Sequence, residues 1–418
     1  MHAIGIDIGT TSICGVLLDA RTGKLIKRQT IMSNAFIPTE NSWEKIQDTE
    51  KLISISKEIL DGLLDEETVV IGLTGQMHGI VYTDENGNAL SPLYTWQDER
   101  GNLPYRDTTY AKYMDSFAGY GNVTDFYNRE NGLRPKEAVS YCTIQDYLGM
   151  VLCGRKRPVL HSSNAASFGC FDAEKITDEY RLLGEYKKVP VAVALGDNQA
   201  SVFSTLTDES GILINIGTGS QITVVSDKPV TGENIEVRPY VEGKYLVVGA
   251  ALCGGRAYSM VKDFFKEIIQ TAGGDASDVY GIMEQMLRDK SETTLKVDTR
   301  FAGTRTSPGQ KGSISGIDIN NFTPGDLTLG ILEGMTNELL AMYRSMGIQK
   351  SGIVGSGNAI RHNRKLIEII EKRFAQELKI PLHEEEAAYG AALFALVACG
   401  KFKNAAEVQK LIHYTKLP

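Results

Sequence analysis

Runs of apolar residues divide the chain into short strands and longer helices. Three short segments at 2–8, 13–18 and 24–30 have the length of strands and are separated by turns of small and polar residues. This spacing predicts an antiparallel meander of three strands. The segment 49–64 carries apolar residues at helical spacing, and 68–73 is a continuous apolar run, so the sequence predicts an amphipathic helix followed by a buried strand.

The second half of the chain restarts the same pattern. Apolar runs at 211–216 and 221–226 flank a turn of glycine and hydroxyl residues. The sequence IDIGTTS at 6–12 and LINIGTGS at 213–220 are near repeats, which predicts two domains of related design. We place these domains at 1–189 and 190–418. Helices are predicted in the second half at 256–271, 277–289, 328–346, 366–378 and 386–398.

The apolar run at 189–195 delivers an acid to the end of a predicted strand. Gly196 ends the run, and Asp197 stands before a helix that is predicted from Asn198 onwards. In α/β proteins ligands bind at the carboxyl ends of strands. A carboxylate at this edge can accept a proton from a substrate hydroxyl. The alternative is that Asp197 only caps the helix, because Asp favours that position.

The two matched turns have a chemistry that suits nucleotide phosphates. Consecutive N–H groups in a tight turn form an anion site, and glycine permits a close approach of the backbone. Asp7, just before the first turn, can orient a hydrated Mg²⁺, which prefers one or two carboxylates and several waters. The alternative is two ordinary hairpin turns. The turn residues are Gly9, Thr10 and Thr11 in the first half and Gly217, Thr218 and Gly219 in the second.

A polar cluster in the first half suits a polyhydroxy substrate. Trp96 offers a flat apolar face for a sugar ring, and its neighbours offer donors and acceptors for several hydroxyls. A site of this kind rejects analogues that lack a hydroxyl. The alternatives are a loop histidine, a core tryptophan and a surface ion pair. The cluster consists of Gln76, Met77, His78, Trp96, Asp98 and Arg100.

A glycine pair at 355–357 follows a predicted strand at 351–354 and precedes a helix. This segment suits a platform on which a flat base can lie. The chain has no P-loop sequence, and no GxGxxG opens a helix after its first strand. The phosphates of a nucleotide therefore depend on the two turns.

Composition bounds the range of functions. The chain has 418 residues, 42% hydrophobic and 23% charged, so two ordinary globular domains are expected. A net charge of −8 without a basic tract argues against nucleic acid or a membrane as partner. No apolar run has the length of a membrane span and no signal peptide is recognised, so a cytoplasmic protein is expected. The scattered cysteines predict free thiols: Cys14, Cys142, Cys153, Cys170, Cys253 and Cys399.

Taken together, these motifs resemble those of the FGGY carbohydrate kinases, within the actin, hexokinase and heat-shock-70 ATPase superfamily. They occur in the family's order and span almost the whole chain. Within the family, the segments at 196–204 and 215–221 are most similar to the sedoheptulokinase branch and next to the xylulokinase branch. The matching segments are DIGTT at 7–11, GQMHG at 75–79, WxDxR at 96–100, GDNQ at 196–199, NIGTGS at 215–220, the stretch 355–363 and EAAYGAA at 386–392.

The resemblance implies an α/β fold of two ribonuclease-H-like domains with ATP and a sugar in the cleft between them. It implies that Asp197 is the general base and that Asp7 acts through Mg²⁺ and water. The turn residues would grip phosphates, and the polar cluster would line the sugar site. The residues implied near adenine and ribose are Gly357, Asn358 and Asn363.

The resulting hypothesis is transfer of the γ-phosphoryl group of ATP to a primary hydroxyl of a ketose. Sedoheptulose is the favoured acceptor, and a pentulose such as xylulose or a polyol is the alternative. A non-catalytic sensor of sugar or nucleotide is the alternative from another class. The partners expected are ATP, Mg²⁺ and a small sugar, with a homodimer compatible with the family.

Overall fold

The structure is a computed structural model that describes residues 1–167, 175–177, 179–232, 234–304, 307 and 309–415. The chain forms two compact units. The first unit comprises Met1–Thr207, Pro239–Lys244 and His383–His413, and the second comprises Asp208–Arg238, Tyr245–Leu382 and Tyr414–Pro418. These units group residues by contact, whereas the boundary at 189 follows the order of the chain and stays a prediction.

The described residues form strands and helices in alternation. The strands are β1 His2–Ile8, β2 Ser12–Asp19, β3 Leu25–Met32, β4 Ile46–Gln47, β5 Thr68–Gly75, β6 Val81–Thr83, β7 Leu93–Tyr94, β8 Pro104–Tyr105, β9 Thr108–Thr109, β10 Ser140–Cys142, β11 Val159–His161, β12 Lys175–Thr177, β13 Leu182–Tyr186, β14 Val189–Ala192, β15 Leu195–Gly196, β16 Ile212–Ile216, β17 Ser220–Ser226, β18 Ile235–Pro239, β19 Tyr245–Ala251, β20 Lys296–Asp298, β21 Ser313–Ser315, β22 Ile353–Ser356, β23 Leu378–Pro381 and β24 Tyr414–Thr415. The helices are α1 Thr49–Leu63, α2 Tyr110–Tyr113, α3 Gly121–Glu130, α4 Ile144–Cys153, α5 Ser162–Ala165, α6 Asp197–Thr205, α7 Gly255–Thr271, α8 Val279–Leu287, α9 Pro324–Ser345, α10 Asn358–His362, α11 Arg364–Phe374, α12 Glu386–Ala398 and α13 Ala405–Val408. Short 3₁₀ helices lie at Arg100–Asn102, Val241–Gly243 and Gln409–Leu411.

The first unit is built on a mixed sheet with the strand order β13-β14-β5-β1-β2-β3, and β15 also pairs with β5. The pairs β1–β2 and β2–β3 are antiparallel, which confirms the predicted meander. Strands β1, β5 and β15 run parallel, and Gly75 lies beside both Ile8 and Gly196 in the register. The carboxyl ends of these three strands therefore share one edge of the sheet.

Helix α12 packs directly on this sheet and on helix α6, because glycines leave room for its backbone. A Cβ on Gly5 would lie 1.8 Å from the carbonyl oxygen of Ala388, and a Cβ on Gly72 would lie 1.9 Å from that of Ala391. Interiors are packed too densely to absorb such overlaps. The C-terminal helix thus completes the core of strands from the start of the chain.

The second unit contains another mixed sheet, with the order β18-β19-β17-β16-β22-β23-β24. Strands β16 and β17 form the predicted hairpin, and β22 runs parallel to β16. Buried side chains of α9 and α11 pack in the core on this sheet.

Helix α9 begins at Pro324, earlier than predicted, because Thr323 caps it by accepting a hydrogen bond from the amide of Asp326. Helix α11 ends at Phe374, earlier than predicted, because Ala375 adopts a left-handed conformation with φ 53°.

Five cysteines fall within the described residues, and all five are free thiols. Cys170 lies outside the described residues. Among the helices that the structure describes, none is long and apolar enough to cross a membrane.

Candidate active site

The shared strand edge of the first unit carries the predicted acids. Asp7 lies on β1, and Asp197 follows β15 directly. Burial, together with the negative charges of Asp197 and Glu385, raises the pKa of Asp7 to about 7. Oδ1 of Asp7 is buried and has no hydrogen-bond partner among the residues that the structure describes. The edge therefore concentrates negative charge around an unsatisfied carboxylate oxygen.

Asp197 occupies the first turn of helix α6 and does not cap it. The N-cap is Gly196, which makes no side-chain capping bond, so the interpretation of Asp197 as a helix cap is wrong. Its Oδ1 accepts a hydrogen bond of 2.7 Å from the amide of Asn198, and the side chain is half-buried. An anion in the first turn of a helix is stabilised by the helix dipole.

The residues at this edge fit a hydrated Mg²⁺. This ion takes one or two carboxylates and keeps several waters, and the carboxylates of Asp7 and Asp197 interact electrostatically. The part of the chain that the structure describes contains no group of three or more metal-binding side chains. The two carboxylates at this edge match the number that the ion takes.

Thr10 connects the first turn to the polar cluster. Its hydroxyl accepts a hydrogen bond of 2.9 Å from the indole nitrogen of Trp96 and donates one of 3.4 Å to Oε1 of Gln76. Gln47 donates from Nε2 to the carbonyl oxygen of Thr10 at 2.7 Å and accepts from Nε2 of Gln76 at 2.9 Å. Gln47 was not identified by sequence reasoning, because it lies outside every motif.

Thr11 projects to the solvent, whereas its backbone is held in place. Its carbonyl oxygen accepts hydrogen bonds from the amide of Ser33 at 2.9 Å and from the Ser33 hydroxyl at 3.1 Å. Gly9 and Thr10 are half-buried. The first turn thus presents one exposed hydroxyl on a fixed backbone.

Met77 and His78 follow the end of β5 and differ in exposure. Met77 is buried, and its sulfur packs closely on Gly196, where a Cβ would lie 2.8 Å from it. His78 has φ 74°, which is strained for a non-glycine residue. Its ring stacks on Tyr120 with 4.3 Å between the ring centroids. Tyr120 is a further residue that the motifs did not identify.

Asp98 and Arg100 form a buried ion pair, so their interpretation as a surface pair is wrong. Each is 1% exposed. Arg100 donates from Nε to Oδ1 of Asp98 at 2.6 Å, from Nη2 to its Oδ2 at 3.0 Å, and to Asn128 and Glu44. Its guanidinium lies 4.4 Å from the ring centroid of Tyr94. Direct contact of this pair with a sugar stays a prediction.

The buried pair supports the loop that presents Trp96. The amide of Lys45 donates to Oδ2 of Asp98 at 3.0 Å, and Gly119 packs against the carbonyl of Trp96. The Trp96 side chain is 47% exposed, so its interpretation as a core tryptophan is wrong. Its exposed indole is held by Thr10 and is open to a ligand.

The second unit has its own cavity, of about 870 Å³. This volume lies within the range of small-molecule sites. Gly219 is not among its lining residues. The lining includes the predicted residues Gly217, Thr218, Gly357, Asn358 and Asn363, together with Gly255, Arg256, Tyr258, Ser259, Tyr280, Glu284, Leu332, Met335, Ala359, His362 and Leu366.

The end of β22 shapes this cavity. Gly357 has φ 86°, and a Cβ there would lie 2.5 Å from the carbonyl oxygen of Ile216, so only glycine fits. Asn363 caps α11 by accepting a hydrogen bond of 2.9 Å from the amide of Leu366. Burial raises the pKa of Tyr258 to about 12, despite a hydrogen bond from Asn363 that lowers it.

Comparison with known families matches both parts of the chain. Residues 2–109 match the N-terminal domain of the FGGY family of carbohydrate kinases. Residues 212–399 match the C-terminal domain of the same family. The two matches together cover more than half of the chain.

Individual relatives agree with this result. The chain is 28% identical to the sedoheptulokinase of Mus musculus, with 94% of this chain and 97% of that protein covered. It is 22% identical to a xylulose kinase of Staphylococcus epidermidis, with 96% and 88% covered. The crystal structure of the xylulose kinase from Rhodospirillum rubrum matches the fold with a TM-score of 0.85 at 17% identity, with 100% and 93% covered.

Proposed function

The chain belongs to the FGGY family of carbohydrate kinases, and we propose that it transfers the γ-phosphoryl group of ATP to a primary hydroxyl of sedoheptulose. The observation that carries this proposal is the position of Asp197, a half-buried carboxylate at the end of β15 beside the predicted sugar residues. A general base must reach the proton that it removes, so its position has to be held precisely.

In the proposed reaction, Asp197 accepts the proton of the sugar hydroxyl as its oxygen bonds to the γ-phosphorus. The bond between this phosphorus and the bridging oxygen of ADP breaks in the same displacement. Phosphoryl transfer depends mainly on positioning and on neutralisation of charge. Asp7 would hold Mg²⁺, which supplies charge neutralisation when bound.

The sugar is proposed to lie against the exposed indole of Trp96. The hydroxyl of Thr10 accepts a hydrogen bond from the edge of that indole and donates one to Gln76, so the plane of the indole is set before the sugar binds. His78, held by the ring of Tyr120, would offer a polar atom to a hydroxyl. Such preorganisation favours a substrate of defined shape over a generic polyol.

The nucleotide is proposed to occupy the cavity of the second unit. Gly217 and Thr218 lie where the phosphates would bind, and Gly357 and Asn358 lie where the base would stack. Glycine at 357 brings the backbone close to the ligand without a side chain in the way. Asn363 and Tyr258 line the same cavity.

Sedoheptulose is preferred to xylulose because the curated relatives that share this name have the higher identities. The identities to the sedoheptulokinases of Mus musculus and Homo sapiens are 28% and 26%, against 22% for the xylulose kinase. A five-carbon ketose is the second candidate. The sensor alternative is not favoured, because the acid that a kinase needs is present at the strand end.

The test is ADP release with Mg-ATP across sedoheptulose, xylulose, ribulose, gluconate and glycerol. We expect the highest kcat/KM with sedoheptulose. A higher value with xylulose would replace the substrate, and ADP release that is independent of any sugar would overturn the kinase proposal.

The role of Asp197 is tested by Asp197→Asn. Loss of a general base lowers kcat by roughly 10²–10⁴-fold. Binding of ATP, measured by calorimetry, should stay within twofold, because the proposed nucleotide residues lie in the second unit. Asp84→Asn, a change of a half-buried acid in a hairpin turn of the first unit, is the matched control and should leave kcat unchanged. Wild-type kcat in Asp197→Asn would contradict the assignment.

A further inference from the structure

Two side chains of the short helix α5 hold the backbone on either side of Leu195. The hydroxyl of Ser163 accepts a hydrogen bond of 3.0 Å from the amide of Gly196. The amide nitrogen of the Asn164 side chain donates one of 3.1 Å to the carbonyl oxygen of Ala194. Both side chains are fully buried, so water does not compete for these bonds.

Among the described residues, the sheet holds strand β15 through one neighbour. Strand β15 has two residues, which pair with Thr74 and Gly75 of β5. The preceding strand β14 pairs with β13 along its length and with β5 at Val191. The two residues between β14 and β15 belong to no strand. The side chains of α5 therefore supply backbone contacts that a longer strand would obtain from its neighbours.

The same network reaches the end of β5. Nε2 of Gln145 donates to Oδ1 of Asn164 at 3.1 Å and to the carbonyl oxygen of Gly75 at 3.2 Å. Asn164 also donates to Oδ1 of Asp146 at 3.1 Å. One buried set of hydrogen bonds thus joins the residue before Gln76 to the strand that ends before the proposed base.

His161 orients the hydroxyl of Ser163. Its Nδ1 accepts a hydrogen bond of 3.1 Å from the backbone amide of Ser163, and the same Nδ1 lies 2.8 Å from the Ser163 hydroxyl. Because Nδ1 is an acceptor, the hydroxyl donates to it. The oxygen of Ser163 then directs its lone pairs to the amide of Gly196.

We propose that Ser163 and Asn164 are positioning residues for phosphoryl transfer, which fix the end of β15 and thereby set the carboxylate of Asp197 against the sugar hydroxyl. This inference rests on the proposed function of Asp197. Neither side chain touches the reacting atoms. They act through the backbone of Ala194 and Gly196, and a displacement of about 1 Å of a catalytic group can cost about 10²-fold in rate.

The test is Ser163→Ala in the full-length protein, with Ser56→Ala as its matched control. Ser56 is also fully buried in the first unit and donates a hydrogen bond of 2.8 Å to the carbonyl of Leu52 in helix α1. We expect Ser163→Ala to lower kcat by roughly 10–100-fold, with KM for MgATP within twofold. Ser56→Ala should lower Tm by about as much as Ser163→Ala does and should keep the wild-type kcat.

A second readout separates positioning from a general loss of stability. In the Asp197→Asn background, Ser163→Ala should lower the residual rate no further, because residues that act as a unit are not additive. Ser163→Cys, whose thiol fills the space but accepts hydrogen bonds weakly, should give an intermediate kcat. This variant also keeps the test open if the alanine variant does not fold.

The outcomes distinguish the two proposals. The positioning role is overturned if Ser163→Ala has the wild-type kcat, or if it lowers the rate equally in the wild-type and Asp197→Asn backgrounds. In either case, an inactive Asp197→Asn variant still supports Asp197 as the general base. Wild-type kcat in Asp197→Asn overturns the base, and the positioning role falls with it.

Discussion

The buried pair of Asp98 and Arg100 allows a quantitative test of the first unit. Arg100→Met keeps most of the side-chain volume but removes the charge. Asp98 would lose two hydrogen bonds, of 2.6 and 3.0 Å, and keep those from the amides of Lys45 and Arg100. A hydrogen bond to a charged group contributes about 1.5–3 kcal/mol. The loss of both bonds therefore costs about 3–6 kcal/mol, which agrees with the cost of about 3–5 kcal/mol for an uncompensated buried charge.

This loss is a large share of the free energy of unfolding of a domain, which is typically about 5–15 kcal/mol. The control is Arg28→Met, because Arg28 is 46% exposed and contacts Glu384 and Glu385 at 3.1 Å each. An exposed pair contributes about 0–1 kcal/mol. The double variant Asp98→Asn with Arg100→Met removes both charges and should recover part of the loss.

The assay is urea unfolding followed by tryptophan fluorescence. The chain has two tryptophans, Trp43 and Trp96, and both lie in the first unit, so the signal reports on that unit. Trp43 also lies beside the mutated group, 5.7 Å from the guanidinium of Arg100. A loss for Arg100→Met of less than about 1 kcal/mol, or one equal to that of Arg28→Met, would refute the reasoning.

Three further predictions concern other parts of the molecule. Burial raises the pKa of Asp146 to about 7, so the folded state retains this proton and the free energy of unfolding falls as the pH rises from about 4 to about 7. Asp146→Asn mimics the protonated acid and should flatten this slope in urea titrations at several pH values, and an unchanged slope would contradict the prediction. Gly390→Ala places a Cβ 1.9 Å from the carbonyl oxygen of Ala200 and should lower the free energy of unfolding by about 1–3 kcal/mol. Urea unfolding measures this change, and an unchanged stability would contradict the prediction. Gly357→Ala should weaken ATP binding about tenfold in calorimetry, because φ 86° and the 2.5 Å approach to the carbonyl of Ile216 exclude a side chain; wild-type affinity would argue against this.

Apolar patterning predicted the elements whose signal is local. The meander of β1, β2 and β3 was predictable because turns of small and polar residues separate three segments of strand length. The hairpin of β16 and β17 was predictable for the same reason. The strands β18 and β19 were not predicted, although they extend the second sheet.

The same distinction between local and distant sequence signals applies to the residues of the candidate site. Asp7 and Asp197 were each predictable as an acid on or beside a strand, whereas their place at one sheet edge depends on the parallel pairing of β1, β5 and β15, which was not predicted. The burial of Arg100 was not predictable, since its partners Glu44 and Asn128 lie far away in sequence. The stacking of Tyr120 on His78 depends on a loop without a motif.

The placement of α12 has a consequence for the order in which the chain folds on the ribosome. Helix α12 packs on Gly5 and Gly72, yet this helix begins only at Glu386. Nearly the whole second unit is translated in between, which takes on the order of ten seconds or more at about 5–20 residues per second. During this interval the nascent sheet has one apolar face without its cover. The first unit therefore completes its core last, although its strands emerge first, and a chain terminated before α12 exposes a surface that favours aggregation.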